Sequence, residues 1–101
     1  MADGEKERSL IEVDWPYEHR LKKPVIAHGK EVSALTFRQP HTGDMLKFGI
    51  LDRTADAEKT IAMIAELGSI PPSSVKLLHP ADFYKIQNVL MDFFLAASTV
   101  E

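Results

Sequence analysis

The chain has 101 residues, of which 45% are hydrophobic and 27% charged, which is typical of a single globular domain. It contains no cysteine, which excludes disulfides and thiolate metal sites, and its net charge of −3 argues against nucleic acid as a partner. No apolar run approaches the roughly 20 residues of a membrane span, and the polar N-terminus does not have the pattern of a signal peptide.

The start of the chain differs in composition from the rest. Residues 1–14 mix charges with few large apolar side chains and are predicted to form a flexible N-terminal arm. Residues 15–101 are predicted to form a single α+β domain, with a β-hairpin over 17–38 and a helical part over 42–97. A domain of this size buries a modest core, so partners or assembly into a homo-oligomer matter for its stability.

The segment from 17 to 38 predicts two antiparallel strands. Apolar and polar residues alternate on both sides of His28-Gly29, with the period of a half-buried strand. A type I′ turn needs positive φ at both central residues, which Gly adopts freely and His more readily than most residues. Pro24 lacks an amide donor, so we expect the first strand to be an edge strand near that point.

Two helices are predicted between the hairpin and a Pro-Pro break. The first is short and falls within HTGDMLKFGIL (residues 41–51), with Thr42 as its N-cap. The second covers residues 55–67, with Thr54 as its N-cap and Gly68 as its C-terminal stop. One or two further helical turns are expected over residues 73–78.

The last helix is predicted over about residues 80–97. Pro80 suits its first position and Asp82 its first turn. One apolar stripe covers an arc of about 100°, and a second apolar stripe lies beside it. The second stripe either packs within the domain or meets another chain. Trp15 has the same two interpretations, because tryptophan is enriched at binding hot spots. The predicted partner-binding residues are Trp15, Tyr84, Met91, Phe94 and Leu95.

No group of residues points to catalysis or metal binding. The four histidines lack the i, i+4 spacing of a helical metal site, and we assign them to turns and caps. The serines lack a nucleophile-elbow context, and the glycines do not form a phosphate-binding pattern. Asp52 and Asp56 are assigned to favourable charge near the start of a helix. We therefore predict no enzymatic activity, no cofactor and no metal.

The stretch LKKPVIAHGKEVSALTFRQPHTGDML, followed later by Pro-Pro and a Leu…Asp-Phe helix start, resembles the tail assembly chaperone family of contractile-tailed phages, the Mu-like and protein E group. The resemblance covers roughly residues 20–95, and the preceding WPYEHR departs from the family pattern. The matching positions are Leu21, Pro24, Val25 or Ile26, Gly29, Val32, Leu35, Phe37, Arg38, Pro40, Gly43 and Asp44, then Pro71, Pro72, Leu78, Asp82 and Phe83.

The resemblance implies a non-enzymatic protein that binds the tape measure protein and helps tail tube subunits polymerise around it. Such a protein acts in the bacterial host cytoplasm and is not expected in the mature virion. A tape measure protein is long, helical and partly apolar, so a helix with a surplus apolar stripe suits helix-in-groove binding. In this interpretation Arg38 and Asp44 form a structural salt bridge.

Other functions are compatible with the sequence. The first alternative is a structural tail or baseplate component of the virion. Mass spectrometry of purified particles separates it from a chaperone, because a chaperone should be missing from them. A small enzyme or metal-binding protein is a further alternative, and a nucleic-acid regulator is disfavoured by the charge.

Overall fold

A computed structural model of the chain describes residues 14–98, so the predicted arm lies outside the described residues except for Asp14. The two strands form an antiparallel sheet that packs with the helices around one core. The fold is therefore α+β, with an N-terminal hairpin followed by four helices, which confirms the predicted class. In chain order the elements are β1 (Tyr17–Ala27), β2 (Lys30–Phe37), α1 (Thr42–Lys47), α2 (Ala57–Gly68), α3 (Pro72–Val75) and α4 (Pro80–Ala97).

The hairpin has the predicted turn and an irregular first strand. His28 has a φ of 55° and Gly29 a φ of 77°, so both central residues are positive, as a type I′ turn requires. The pairing register shifts between Arg20 and Val25, a stretch that contains Pro24. Proline has no amide to donate to the ladder, and the shift falls at the point where the sequence predicts an edge strand.

Both predicted helix N-caps are wrong by one or two residues. The N-cap of α1 is His41 and not Thr42, and its backbone N–H donates to a carboxylate three residues later at 2.7 Å. The N-cap of α2 is Asp56 and not Thr54, and its carboxylate accepts from the backbone N–H of Lys59 at 2.8 Å. In α2 the carboxylate is the better cap, because its charge also interacts favourably with the helix dipole.

The end of α2 also differs from its prediction. Gly68 is the last residue of the helix, and the left-handed residue that follows is Ser69, with a φ of 56°. A Cβ atom at Gly68 would lie 2.7 Å from Cε1 of Phe37. Glycine is required here by the close approach of α2 to β2 and not by its own backbone conformation. The backbone N–H of Arg38 donates to the carbonyl of Leu67 at 3.1 Å beside this contact.

The core is built mainly from the hairpin, α2 and α4. Its most completely buried large side chains are Phe37, Met63, Ile64, Leu67, Ile86 and Leu90. The last helix has the bounds predicted for it, and it buries one side against the domain. The opposite side of α4 is left facing outward. Within residues 14–98, no helix is both long and apolar enough to cross a membrane.

Candidate functional site: an apolar surface on the last helix

The outward side of α4 carries large apolar side chains. Tyr84 is 61% exposed and Leu95 is 68% exposed, while Met91 between them is half-buried. At 100° per residue these three positions fall within about 40° of each other around the helix axis. Asn88 lies on the same side, so one polar residue interrupts the stripe. We call Tyr84, Met91 and Leu95 the α4 stripe.

Two open grooves flank Tyr84. The first has a volume of about 430 Å³, and Ile50, Thr60 and Met91 contribute to its lining. The second has a volume of about 300 Å³ and lies where Ile61 of α2 meets α3 and the start of α4. Tyr84 and its neighbour Phe83 line both grooves, so the tyrosine forms the ridge between them. An apolar segment laid along this side of α4 would meet concave surface on both sides of Tyr84.

The other two predicted contact residues lie elsewhere. Phe94 is only 7% exposed and belongs to the core, so its side chain is not available to a partner. Trp15 is half-buried, and its ring packs edge-on against Phe93 at a centroid distance of 5.3 Å. The ring of Tyr17 also lies near the indole, at a centroid distance of 6.3 Å. The structure therefore brings Tyr84, Met91 and Leu95 together and leaves Trp15 and Phe94 out of that surface.

Asp82 fixes the start of α4 against the irregular part of β1. Its carboxylate accepts the backbone N–H of Lys22 at 2.8 and 2.9 Å and that of Lys23 at 3.3 Å. Nε2 of His19 lies 3.0 Å from the same carboxylate, and because an ionised carboxylate only accepts, the imidazole donates. The hydroxyl of Tyr17 lies 3.1 Å from Nδ1 of that ring. These contacts set the position of the helix that carries the α4 stripe.

The pKa of Asp82 reflects this environment. Burial acts to raise it, but the hydrogen bonds from the Lys22 amide, His19 and the Lys23 amide together outweigh burial. The pKa of Asp82 consequently lies below its ordinary value. A buried carboxylate that stays charged and is bonded on both oxygens is a structural anchor.

The predicted salt bridge between Arg38 and Asp44 is present. The guanidinium donates to both carboxylate oxygens at 2.9 Å, and this bond holds the pKa of Asp44 below its ordinary value. Arg38 also reaches Glu66 of α2 at 3.4 Å, and Glu66 pairs with Lys47 at 2.6 Å. These ion pairs join Arg38, directly after β2, to α1 and α2. We call this group the Arg38–Asp44 corner, and its role is structural, as expected.

The histidines have structural surroundings. His41 and His79 are N-caps, and Nδ1 of His79 accepts the backbone N–H of Ala81 at 3.0 Å. His28 stands in the hairpin turn and its Nε2 lies 3.1 Å from the carbonyl oxygen of Ser69. For His19 the expectation of local turn or cap chemistry is wrong, because its partner belongs to α4. Among residues 14–98, no cluster of three or more side chains suits a metal ion.

A model of the family described as "Phage tail assembly chaperone proteins, E, or 41 or 14" matches residues 18–95. The chain belongs to this family. The match runs from β1 to α4, so it includes the Arg38–Asp44 corner and the whole α4 stripe, and it excludes Trp15. No curated protein and no solved structure matches the chain significantly. Membership implies a non-catalytic role in phage tail assembly and protein partners in that process.

Part of this surface comes from residues that local sequence patterns do not indicate. Ile50 and Thr60 line the first groove but belong to the loop after α1 and to α2. The stretch predicted for the first helix includes Ile50 and Leu51, but α1 ends at Lys47, so both residues lie in the loop after it, and Leu51 is exposed. Nothing in the local pattern says that this loop lies beside α4. The anchoring role of Asp82 was missed for the same reason, since its partners are about 60 residues away.

Proposed function

We propose that the chain is a tail assembly chaperone that transiently binds the tape measure protein and promotes tail tube assembly. The α4 stripe and its two grooves form the contact surface, and they take an amphipathic helix of the tape measure protein by the helix-in-groove mode. The family membership and the exposure of Tyr84 and Leu95 on one side of α4 support this assignment.

Physical considerations favour a helical occupant. Tyr84 and Leu95 lie about three helical turns apart on α4, a spacing that suits the repeat of apolar residues on a partner helix. Burying a large apolar side chain contributes about 1.5–3 kcal/mol relative to leaving it in water. Tyr84 and Leu95 are already partly buried, so their gain is at the lower end of this range. Because association costs at least about 4 kcal/mol in lost freedom, the α4 stripe alone favours a weak contact that dissociates readily.

Transient binding fits a protein that works before the particle is complete. In this proposal the chain acts in the host cytoplasm and leaves before the virion matures. The alternative, a structural tail or baseplate component, requires the chain to be present in finished particles. Mass spectrometry of purified particles distinguishes them: detection of the chain in stoichiometric amounts contradicts the chaperone role.

The central experiment is co-expression with the tape measure protein encoded in the same genome. The expected result is co-purification and a higher soluble fraction of the tape measure protein than when it is expressed alone. Leu95→Glu places a charge in the contact and should weaken binding at least about tenfold, the size of effect seen at interface hot spots.

Leu46→Glu is the matched control, because Leu46 is also an exposed leucine, at 63%, but lies on α1. It should bind like the unmodified chain. If the two variants weaken binding equally, the α4 stripe is not the contact surface. If the unmodified chain neither binds nor solubilises the tape measure protein, the proposed function is wrong.

A further inference from the structure

The outer edge of β2 is open. The sheet has two strands, so β2 pairs with β1 on one side and has no strand on the other. In an antiparallel pair every second residue directs its backbone N–H and C=O away from the partner strand. Within residues 14–98, the outward backbone groups over 30–36 have no partner from another element, and the edge closes only at Arg38, which bonds Leu67.

A groove of about 600 Å³ follows this edge. The consecutive residues Ala34, Leu35 and Thr36 all line it, together with Gly68 and Ile70 near the end of α2. Side chains alternate between the two faces of a strand, so three consecutive lining residues show that the groove runs along the edge and not along one face. A strand placed beside β2 would have backbone groups to pair with and an apolar wall beyond them.

We propose that the outer edge of β2 binds an extended, acidic segment of another protein, which adds a third strand to the sheet. The unpaired backbone N–H and C=O groups of an edge strand can form hydrogen bonds with another extended backbone, which is the basis of β-strand addition. The charge at one end of the groove sets the chemistry of the segment. Lys30 and His28 line that end and no carboxylate does. Lys30 makes no ion pair among residues 14–98, so an acidic side chain opposite it is complementary.

Charge also argues against a second copy of the chain as the occupant. Antiparallel pairing of two β2 strands about Ser33 sets Lys30 opposite Thr36 and His28 opposite Arg38. Shifting the register by one or two residues sets Lys30 opposite Ala34, Leu35, Phe37 or Arg38. None of these residues is acidic, so self-pairing along most of the edge leaves Lys30 without a counter-charge. The interaction is separate from the α4 stripe and goes beyond the proposed function.

The test uses the full chain labelled with ¹⁵N and a blocked heptapeptide of alternating valine and threonine with glutamate at both ends. The expected result is chemical-shift change concentrated at the amides of residues 30–36. A peptide with lysine at both ends should bind about three- to fivefold more weakly, the range expected when an exposed ion pair is replaced by repulsion. Lys30→Glu should reverse this preference, whereas Lys85→Glu on α4 should leave it unchanged.

Backbone pairing is tested separately with two versions of the glutamate peptide, N-methylated on one or the other set of alternate amides. One version should lose binding and the other should keep it. The proposal is overturned if neither version loses binding, or if no β2 amide shifts at about 5 mM peptide, a concentration that populates even a complex with a millimolar dissociation constant. It is also overturned if the same amides shift with protein concentration alone, which would identify a second copy as the occupant.

Discussion

The two sides of α4 differ in the burial of their side chains. At its first turn, Asp82 is buried and both its oxygens are hydrogen-bonded to groups of β1. Along the outward side, Tyr84 and Leu95 expose apolar surface that no other part of the described chain covers. Asp82 thus positions the helix, whereas Tyr84 and Leu95 form the surface that the helix exposes.

The largest expected effect comes from two adjacent residues of α4. Phe94 is in the core and Leu95 is exposed, so only the first should matter for folding. Phe94→Ala should lower the free energy of unfolding by about 3–4 kcal/mol, through lost burial and the cavity left behind. Leu95→Ala should change it by less than about 0.5 kcal/mol. Urea denaturation measures both, and similar losses would contradict the assignment of Leu95 to a contact surface.

Removing the anchor at the start of α4 should have the next largest effect. Asp82→Ala leaves the amides of Lys22 and Lys23 and the imidazole of His19 without their acceptor. A buried polar group left unsatisfied costs about 1–3 kcal/mol, so we expect a total loss of about 3 kcal/mol. Asp92→Ala removes an exposed carboxylate from the same helix and serves as the control, with a change within about 0.5 kcal/mol. Equal effects would show that Asp82 is not an anchor.

The contact between α2 and β2 predicts that a substitution favoured by helix propensity lowers the stability of the chain. Gly68→Ala improves propensity but forces a Cβ atom against the ring of Phe37, so it should cost about 2 kcal/mol. Gly43→Ala is the matched control, because its Cβ meets nothing within 4 Å, and it should stabilise by up to about 1 kcal/mol. Thermal denaturation of the two variants measures these opposite changes in stability. A stabilised Gly68→Ala would mean that α2 and β2 are less tightly apposed.

Acid should destabilise the chain through its anchored carboxylates. The pKa values of Asp82 and Asp44 are lowered by folding, whereas an unfolded Asp titrates near pH 4. The unfolded chain therefore binds more protons around that pH, so stability is complete above it and is lost as the pH falls through the folded pKa values. Urea denaturation from pH 7 to pH 3 should show this loss. Asp82→Asn should flatten the dependence, and an unchanged slope would contradict the lowered pKa of Asp82.

Much of the fold follows from local patterns. The His28-Gly29 turn and the bounds of α4 are set by short-range rules, namely backbone freedom, apolar period and a proline at the first helical position. The N-cap residues are harder to predict, because two or three neighbouring polar residues can each cap a helix. For α2 the local pattern indicates Thr54 as the N-cap, but in the structure the N-cap is Asp56.

Contacts between distant parts of the chain could not be read from the sequence. Glycine is common at helix ends, so the sequence indicates a helix stop at Gly68. In the structure, glycine is needed there because the ring of Phe37 lies close by. His19 and Asp82 look like unrelated strand and helix residues, yet they are hydrogen-bonded across 63 positions. For the candidate surface, periodicity identified Tyr84, Met91 and Leu95 on one side of α4. It could not place Ile50 beside them, because that depends on how the loop after α1 packs.

The bond between Asp82 and β1 also bears on when the chain can fold. A two-stranded hairpin is at best marginally stable by itself, and here the amides at its irregular stretch take their acceptor from a residue 60 positions later. We therefore expect the hairpin to stay marginally stable until α4 supplies this acceptor. The pairing of β1 with the start of α4 is a long-range contact, and contacts of this kind slow folding.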